Sequence, residues 1–406
     1  MSLTTEEIIA LGRKHLLGNV NRYPVALVRG RGTKVWDAGG REYLDFIAGI
    51  ATCAFGHAPE FAGRVLAEQA EKLWHVSNLF WNEPLVRLAE LLTKASGLDK
   101  AFFCNSGAEA NEGAIKMARK WSADKRGPGR HVIVAALNSF HGRTMGAISA
   151  TGQENLHKGF EPMLPGFRHV PYGDLEALKA AADGQVCAVL LEPVQGEGGV
   201  LPPPEGYLQA VEKLCRERDV LLVLDEIQTG LGRTGLPFAF QHFGLRPDIV
   251  TLGKALGCGY PSGAMLSAEE PSRSLGPGTH STTVGGAPLA MALGLELVSR
   301  ILDPKFLENV RALSARLTGG LEALRAKRPD LVLGARGLGL MLGLQLAEPA
   351  GPAAVRLREK GFLVNATAGT VLRFVPPLNV LPEEIDLLLG GLEEALNETY
   401  PRADRG

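Results

Sequence analysis

The 406-residue chain carries 43 basic and 44 acidic residues, a net charge of −1, and so even a balance argues against a nucleic-acid or membrane-surface partner. Single hydrophobic cores stop growing at about 250–300 residues, so two domains are expected. Cys53, Cys104, Cys187, Cys215 and Cys258 stand dispersed without a CxxC pair, which speaks for a reducing compartment and against a disulfide framework or a zinc site.

The opening MSLTTEEIIALGRKHL has acids where a signal peptide needs cations, and no apolar run reaches 18 residues. The expectation is a soluble, cytoplasmic enzyme. Thr4 and Glu7 have capping-box spacing, which predicts a first helix over 4–17. ALVRG, KVWD and REYLDF then read as short strands, the last two joined by the turn Asp37-Ala38-Gly39-Gly40. From Pro59 to about residue 300 the pattern alternates helix (60–74, 84–95, 108–122, 205–218) and strand (100–104, 131–136, 186–191, 220–225, 249–252). Such alternation predicts an α/β domain with a mostly parallel sheet covered on both faces. Residues 288–327 read as largely helical and bridge to a smaller domain, where LVLGARGLGLMLGLQL and VLRFV read as strands. The final helix starts at Pro382 and carries an apolar stripe at Ile385, Leu388, Leu389, Leu392 and Leu396.

In open α/β sheets ligands bind beyond the carboxyl ends of the strands, so the residues at those ends are the candidates for chemistry. The apolar run Val220–Leu224 ends on Asp225, and Ile249–Leu252 leads to Lys254. An amine and an acid placed there suit a Schiff-base lysine and a partner for a pyridinium nitrogen, the pairing of pyridoxal 5′-phosphate (PLP) enzymes; a loop salt bridge is the plainer alternative. After strand 100–104, Asn105-Ser106-Gly107-Ala108 opens a helix, whose first N–H groups can cradle a phosphate or simply be capped. Phe140 and Arg143 follow the strand HVIVAA, one able to stack on a flat ring and the other to hold a carboxylate, or else a core aromatic beside a surface cation. Glu192 and Glu197 follow a further buried strand in LLEPVQGEGGV. Thr282 and Thr283, ahead of Gly285-Gly286, are either a phosphate anchor or helix caps. Arg373 lies on a strand of the smaller domain. Gly230-Leu231-Gly232-Arg233-Thr234-Gly235 matches GxGxxG, but residues 225–229 separate it from its strand and Pro237 interrupts any helix after it, so it is no dinucleotide fingerprint.

In their order, YPVALVRG, VWDAGGREYLDFIAGIA, LWHVSNLFWNEP, NSGAEANEGAIK, FHGRT, LLEPVQGEGGV, LLVLDEIQTGLGRTG, LGKALGCGYPSGAM and LRFVPPL closely resemble the class III PLP-dependent aminotransferases, within them the acetylornithine aminotransferase family, from about residue 20 to 397. The resemblance implies PLP-dependent transferase fold type I, aspartate aminotransferase-like, with an N-terminal segment (1–58) packing with the small domain, a large PLP-binding domain (59–300) and a small α+β domain (301–406). It implies Lys254 as the Schiff-base lysine and proton carrier, Asp225 at the ring nitrogen, Gln228 at the ring oxygen, and Phe140 and Ile227 against the ring faces. Ser106, Gly107 and Ala108 would hold the phosphate, with Thr283 and Thr282 reaching it from the neighbouring subunit of a homodimer. Arg143 would take the carboxylate of the amino donor, and Glu197 would mask Arg373 until 2-oxoglutarate displaces it.

The implied reaction moves the δ-amino group of N2-acetylornithine to 2-oxoglutarate by a ping-pong route. Alternatives on the same scaffold are transfer from ornithine or succinyl-diaminopimelate, or an aminomutase or decarboxylase. Ornithine aminotransferases typically carry Tyr where this chain has Ile50 and Trp81, which favours an acylated donor. Val284, Ala287 and Cys258 depart from the residues usual in the family.

Overall fold

The computed structural model describes residues 3–402. Its N-terminal helix, Thr5–His15, begins where the capping box predicts: the Thr4 hydroxyl accepts from Glu7 N and the Glu7 carboxylate accepts from Thr4 N. Leu27–Arg31 (β1), Lys34–Asp37 (β2) and Glu42–Asp45 (β3) form an antiparallel sheet.

Seven strands then build the central sheet: Lys100–Cys104 (β4), Val132–Ala136 (β5), Phe167–Val170 (β6), Val186–Leu191 (β7), Leu221–Asp225 (β8), Ile249–Leu252 (β9) and Gly263–Ser267 (β10). Their order is β4-β10-β9-β8-β7-β5-β6. Pairing is parallel from β9 through to β6, while β10 runs against both neighbours. Every residue of β5, β7, β8 and β9 is buried, which is why these strands read as unbroken apolar runs. Two of these strands, β6 and β10, carry no clear strand pattern in the sequence. The first is a polar edge strand, FRHV, with three half-buried residues; the second is a short, Gly-led run inside a glycine-rich stretch.

Helices Pro288–Ile301 and Pro304–Lys327 lead to the last sheet. Val332–Leu338 (β11) and Met341–Leu346 (β12) form a hairpin, so LVLGARGLGLMLGLQL is two antiparallel strands folded back near Gly339. Phe362–Leu363 (β13) pairs in parallel with β3, tying the N-terminal sheet to the C-terminal part of the chain. Asn365–Thr367 (β14) and Val371–Phe374 (β15) complete the order β11-β12-β15-β14. The closing helix Pro382–Thr399 buries Ile385, Leu388, Leu392 and Leu396, with Leu389 partly covered. Among the described residues no helix is long and apolar enough to cross a membrane.

Candidate active site

Five strand ends converge on one cavity of about 300 Å³. The turn after β4 brings Gly107 and Ala108, the loop after β5 brings Phe140, His141 and Arg143, and the loop after β7 brings Glu192 and Glu197. β8 ends on Asp225 with Ile227 and Gln228 following, and Lys254 follows β9; all of these line the cavity. The helix Gly107–Arg126 points its start at this space. Ser106 is its N-cap, the hydroxyl accepting from Glu109 N, and the N–H groups of Gly107 and Ala108 have no partner among the described residues. A first helical turn always leaves such donors, and they favour an anion. Glycine at 107 leaves room for Ile227: a Cβ there would stand 2.6 Å from Ile227 Cδ1 and displace that side chain.

Asp225 is buried and triply held. Its Oδ2 accepts from Asn111 Nδ2 and His141 Nδ1, both at 2.8 Å, and its Oδ1 accepts from Ile227 N at 3.0 Å. Asn111 in turn donates to His141 O at 2.7 Å and accepts from Thr251 Oγ1 at 2.8 Å. Burial alone would disfavour the charged His141, but the hydrogen bond and charge of Asp225 outweigh it and raise the imidazole above its ordinary pKa. Burial lowers the Lys254 amine below the usual lysine value, against an opposing pull from the Glu197 carboxylate. Lys254 makes no ion pair among the described residues, and its backbone takes a left-handed φ of 39°, a strained conformation of the kind that clusters at working sites.

Arg373, on β15, is fully buried. It donates through Nη1 to Glu197 Oε1 at 2.5 Å, more loosely to Gln228 Oε1 at 3.4 Å, and through Nε to Asn365 Oδ1 at 3.3 Å, with Nη2 left without a partner among the described residues. Burial would raise the Glu197 carboxyl, yet the Arg373 charge wins and lowers it. Glu192 accepts from Phe140 N and Gly196 N, and burial pushes it up to about 7. Arg143 is exposed and unpaired among the described residues, its guanidinium 5.5 Å from the Phe140 ring centre.

Thr282 and Thr283 do not reach this cavity within the same chain. Thr282 Oγ1 accepts from Asn105 Nδ2 at 3.1 Å beside a separate small cavity, and Thr283 is exposed. Asn78 Nδ2 and Asn82 Nδ2 fasten their loop by donating to Thr282 O and Gly286 O, despite Val284 and Ala287. Cys258, where glycine is usual, holds a left-handed φ of 47°. Trp81 is 89 % exposed and Ile50 42 %, and neither lines the Lys254 cavity. Asn111 and His141 do not stand out as site residues in the sequence. The available signals were Asn111 one helical turn after Gly107 on the same face, and His141 next to Phe140.

The donor set fits a flat, phosphorylated pyridine. Apolar Phe140 and Ile227 line the space, a second Oδ1 lone pair of Asp225 remains for a protonated ring nitrogen, and free helix N–H groups await a phosphate. The family model "Aminotransferase class-III" matches residues 18–396. The chain is 48 % identical over 96 % of its length to the acetylornithine aminotransferase of Caldanaerobacter subterraneus subsp. tengcongensis, covering 99 % of that protein. Among solved structures it resembles the N-acetylornithine aminotransferase of Stenotrophomonas maltophilia K279a (40 % identity, TM-score 0.83, 96 % of this chain and 98 % of that one). It also resembles the ornithine aminotransferase of Toxoplasma gondii ME49 (34 %, TM-score 0.94, 98 % and 96 %). The convergent strand ends and this end-to-end similarity agree, and the chain belongs to the class-III aminotransferases, enzymes that depend on PLP.

Proposed function

We propose that the chain transfers the δ-amino group of N2-acetylornithine to 2-oxoglutarate, yielding the acetylated glutamate semialdehyde and glutamate. The observation that carries this reading is the presence, around one lysine, of two differently presented arginines: Arg143 open and unpaired, Arg373 buried and masked by Glu197. Two substrates that differ in the number and placement of carboxylates need such a pair, since an unmasked buried cation is costly. The curated relatives support the acylated donor. The strong structural likeness to ornithine aminotransferases makes free ornithine the second reading.

PLP, when bound, supplies a carbonyl that takes up the amino group and a ring that delocalises the electron pair left on the substrate carbon. Asp225, fixed by Asn111 and His141, would hold a proton at the ring nitrogen, and Gln228 would donate to the ring oxygen. Phe140 and Ile227 would hold the ring, while Ser106, Gly107 and Ala108 bind its phosphate. The lowered Lys254 favours its neutral amine, the form that attacks carbonyl carbon and accepts a proton, so Nζ would carry the proton between substrate and cofactor carbons. Arg143 would bind the donor's α-carboxylate, leaving the distal amine toward Lys254. Glu197 would neutralise Arg373 in that half-reaction and give way to the α-carboxylate of 2-oxoglutarate in the other.

We further propose a cytoplasmic homodimer in which Thr282 and Thr283 serve the neighbouring copy's phosphate. Leu79, Phe80 and Trp81 are 86, 65 and 89 % exposed, an apolar stretch beside the Thr282 loop that fits a subunit interface. We retain the division at residues 58 and 300 as the proposed domain boundaries. The reaction is tested by following the visible absorption of the holoenzyme with N2-acetylornithine alone and then with 2-oxoglutarate. A band that bleaches and returns establishes both half-reactions; no change with this donor moves the substrate to ornithine or succinyl-diaminopimelate. Sedimentation at low micromolar concentration tests the dimer, and a monomer there would remove it.

A further inference from the structure

Beyond Arg143 the site opens into an adjoining cavity of about 420 Å³, which shares Phe140, Arg143 and Glu197 with the first. One wall of it has no part in the chemistry above. Asn138 and Gln153 both line this wall, and the backbone behind them is stitched tightly. Asn138 N donates to Gly152 O at 2.8 Å, Gly152 N to Ser139 Oγ at 3.0 Å, and Gln153 Nε2 to Ser139 O at 3.0 Å. Asn138 sits at φ 61°, a left-handed conformation that asparagine tolerates better than most residues. Its chain lies against Gly198, where a Cβ would come within 2.9 Å of Asn138 O and 3.4 Å of Asn138 Cβ. The backbone of this wall is therefore held in place by its own hydrogen bonds and packing, which a discriminating subsite requires.

Its unused polarity is that of two neutral carboxamides. The Asn138 side chain makes no hydrogen bond to the described residues, and Gln153 uses one N–H, leaving Oε1 and the second N–H. Together they bring both donors and acceptors to one cavity, the polarity that a secondary amide needs. The acid lining this cavity is Glu197, already engaged by Arg373. A free α-ammonium on the Asn138 side of Arg143 would find no unpaired carboxylate among the residues that line this cavity, whereas an acylated nitrogen brings its own C=O and N–H.

We infer that Asn138 and Gln153 form the subsite that reads the N-acyl amide of the donor, and that their neutrality selects an acylated over a free α-amino group. The inference rests on the proposed transfer from an acylated ornithine.

The test compares kcat/KM for N2-acetylornithine and for ornithine, at saturating 2-oxoglutarate, in the wild-type holoenzyme and in Asn138→Ala, Asn138→Asp and Gln153→Glu. Calorimetry adds the Kd of N2-acetylnorvaline and of norvaline, which keep the α-groups but lack the reacting amine. The expected result is a loss of about tenfold for the acetylated donor and for acetylnorvaline in Asn138→Ala, the scale of one lost hydrogen bond to the donor. In the two acidic variants the acetylornithine-to-ornithine ratio falls further, since a carboxylate attracts the ammonium. Equal losses for both donors, or a ratio unchanged in all three variants, overturn the inference while leaving the reaction standing. A wild type inactive on N2-acetylornithine but active on ornithine overturns the parent reading instead.

Discussion

The fully buried Arg373 guanidinium meets the Glu197 carboxylate at 2.5 Å, while Glu197 keeps 30 % of its side chain exposed. The cation rides on β15, hydrogen-bonded to strands on both sides. The anion lies in the glycine-rich loop after β7, with Thr367 Oγ1 holding its carbonyl at 2.8 Å. In this pair the arginine is shut in on a strand with neighbours on both sides, while the acid stands on a loop and is partly exposed.

Removal of the arginine is expected to have an asymmetric cost. In Arg373→Ala the half-reaction with 2-oxoglutarate slows by about a hundredfold, the scale of a lost charge-assisted carboxylate contact, and the half-reaction with the amino donor by about tenfold or less. Single-turnover rates of the two half-reactions, followed separately by absorption, check this. Equal losses would argue that Arg373 only supports the fold.

The pH profile moves in opposite directions in two variants. The Glu197 charge raises the pKa of Lys254 and the Arg373 charge lowers it. The donor half-reaction needs Lys254, once freed from the cofactor, as the neutral amine, so its rate is lost as pH falls through the pKa of that freed amine. Glu197→Gln shifts that acidic limb to lower pH, and Arg373→Ala shifts it to higher pH. Rate–pH profiles of the donor half-reaction decide it; shifts of the same sign in both would exclude Lys254 as the titrating group.

Lys254→Ala abolishes turnover yet leaves the cofactor bound, since Asp225, the helix start at Gly107 and the apolar walls are untouched. Borohydride treatment and intact mass then show no covalent cofactor adduct in the variant, in contrast to the wild type. Ordinary activity in this variant would falsify the assignment.

Asn111→Ala removes three buried hydrogen bonds at once, those to Asp225, His141 and Thr251. The expected loss is about 2–4 kcal/mol, because groups left unsatisfied in the interior bear the full desolvation cost. Thermal unfolding of the cofactor-free protein measures it directly. A midpoint unchanged from the wild type would mean that water replaces the amide.

Much of the site was legible because each main candidate stands just after a buried apolar run. Lys254 after Ile249–Leu252 and Asp225 after Leu221–Leu224 are polar residues at strand ends, where open α/β sheets present their ligands. The helix start at Ser106 was legible from its capping chemistry, and the GxGxxG at 230–235 was rejected on local context. Its Arg233 is buried, donating to Leu340 O and Pro376 O. Asn111 and His141 were less visible, because their work is to hold Asp225 from behind, over 114 and 84 residues of chain.

The amino-acid sequence by itself determined the buried strands β5, β7, β8 and β9 and which polar residues follow them, because hydrophobic periodicity and capping act over a few residues. Tertiary structure alone decided that β10 runs against the sheet and that β13 joins the N-terminal strands. It alone set Arg373 against Glu197 and the Asn138 wall beside Arg143. These relationships depend on long-range packing, in which residues far apart in the chain share one desolvated space, and no local pattern encodes that distance.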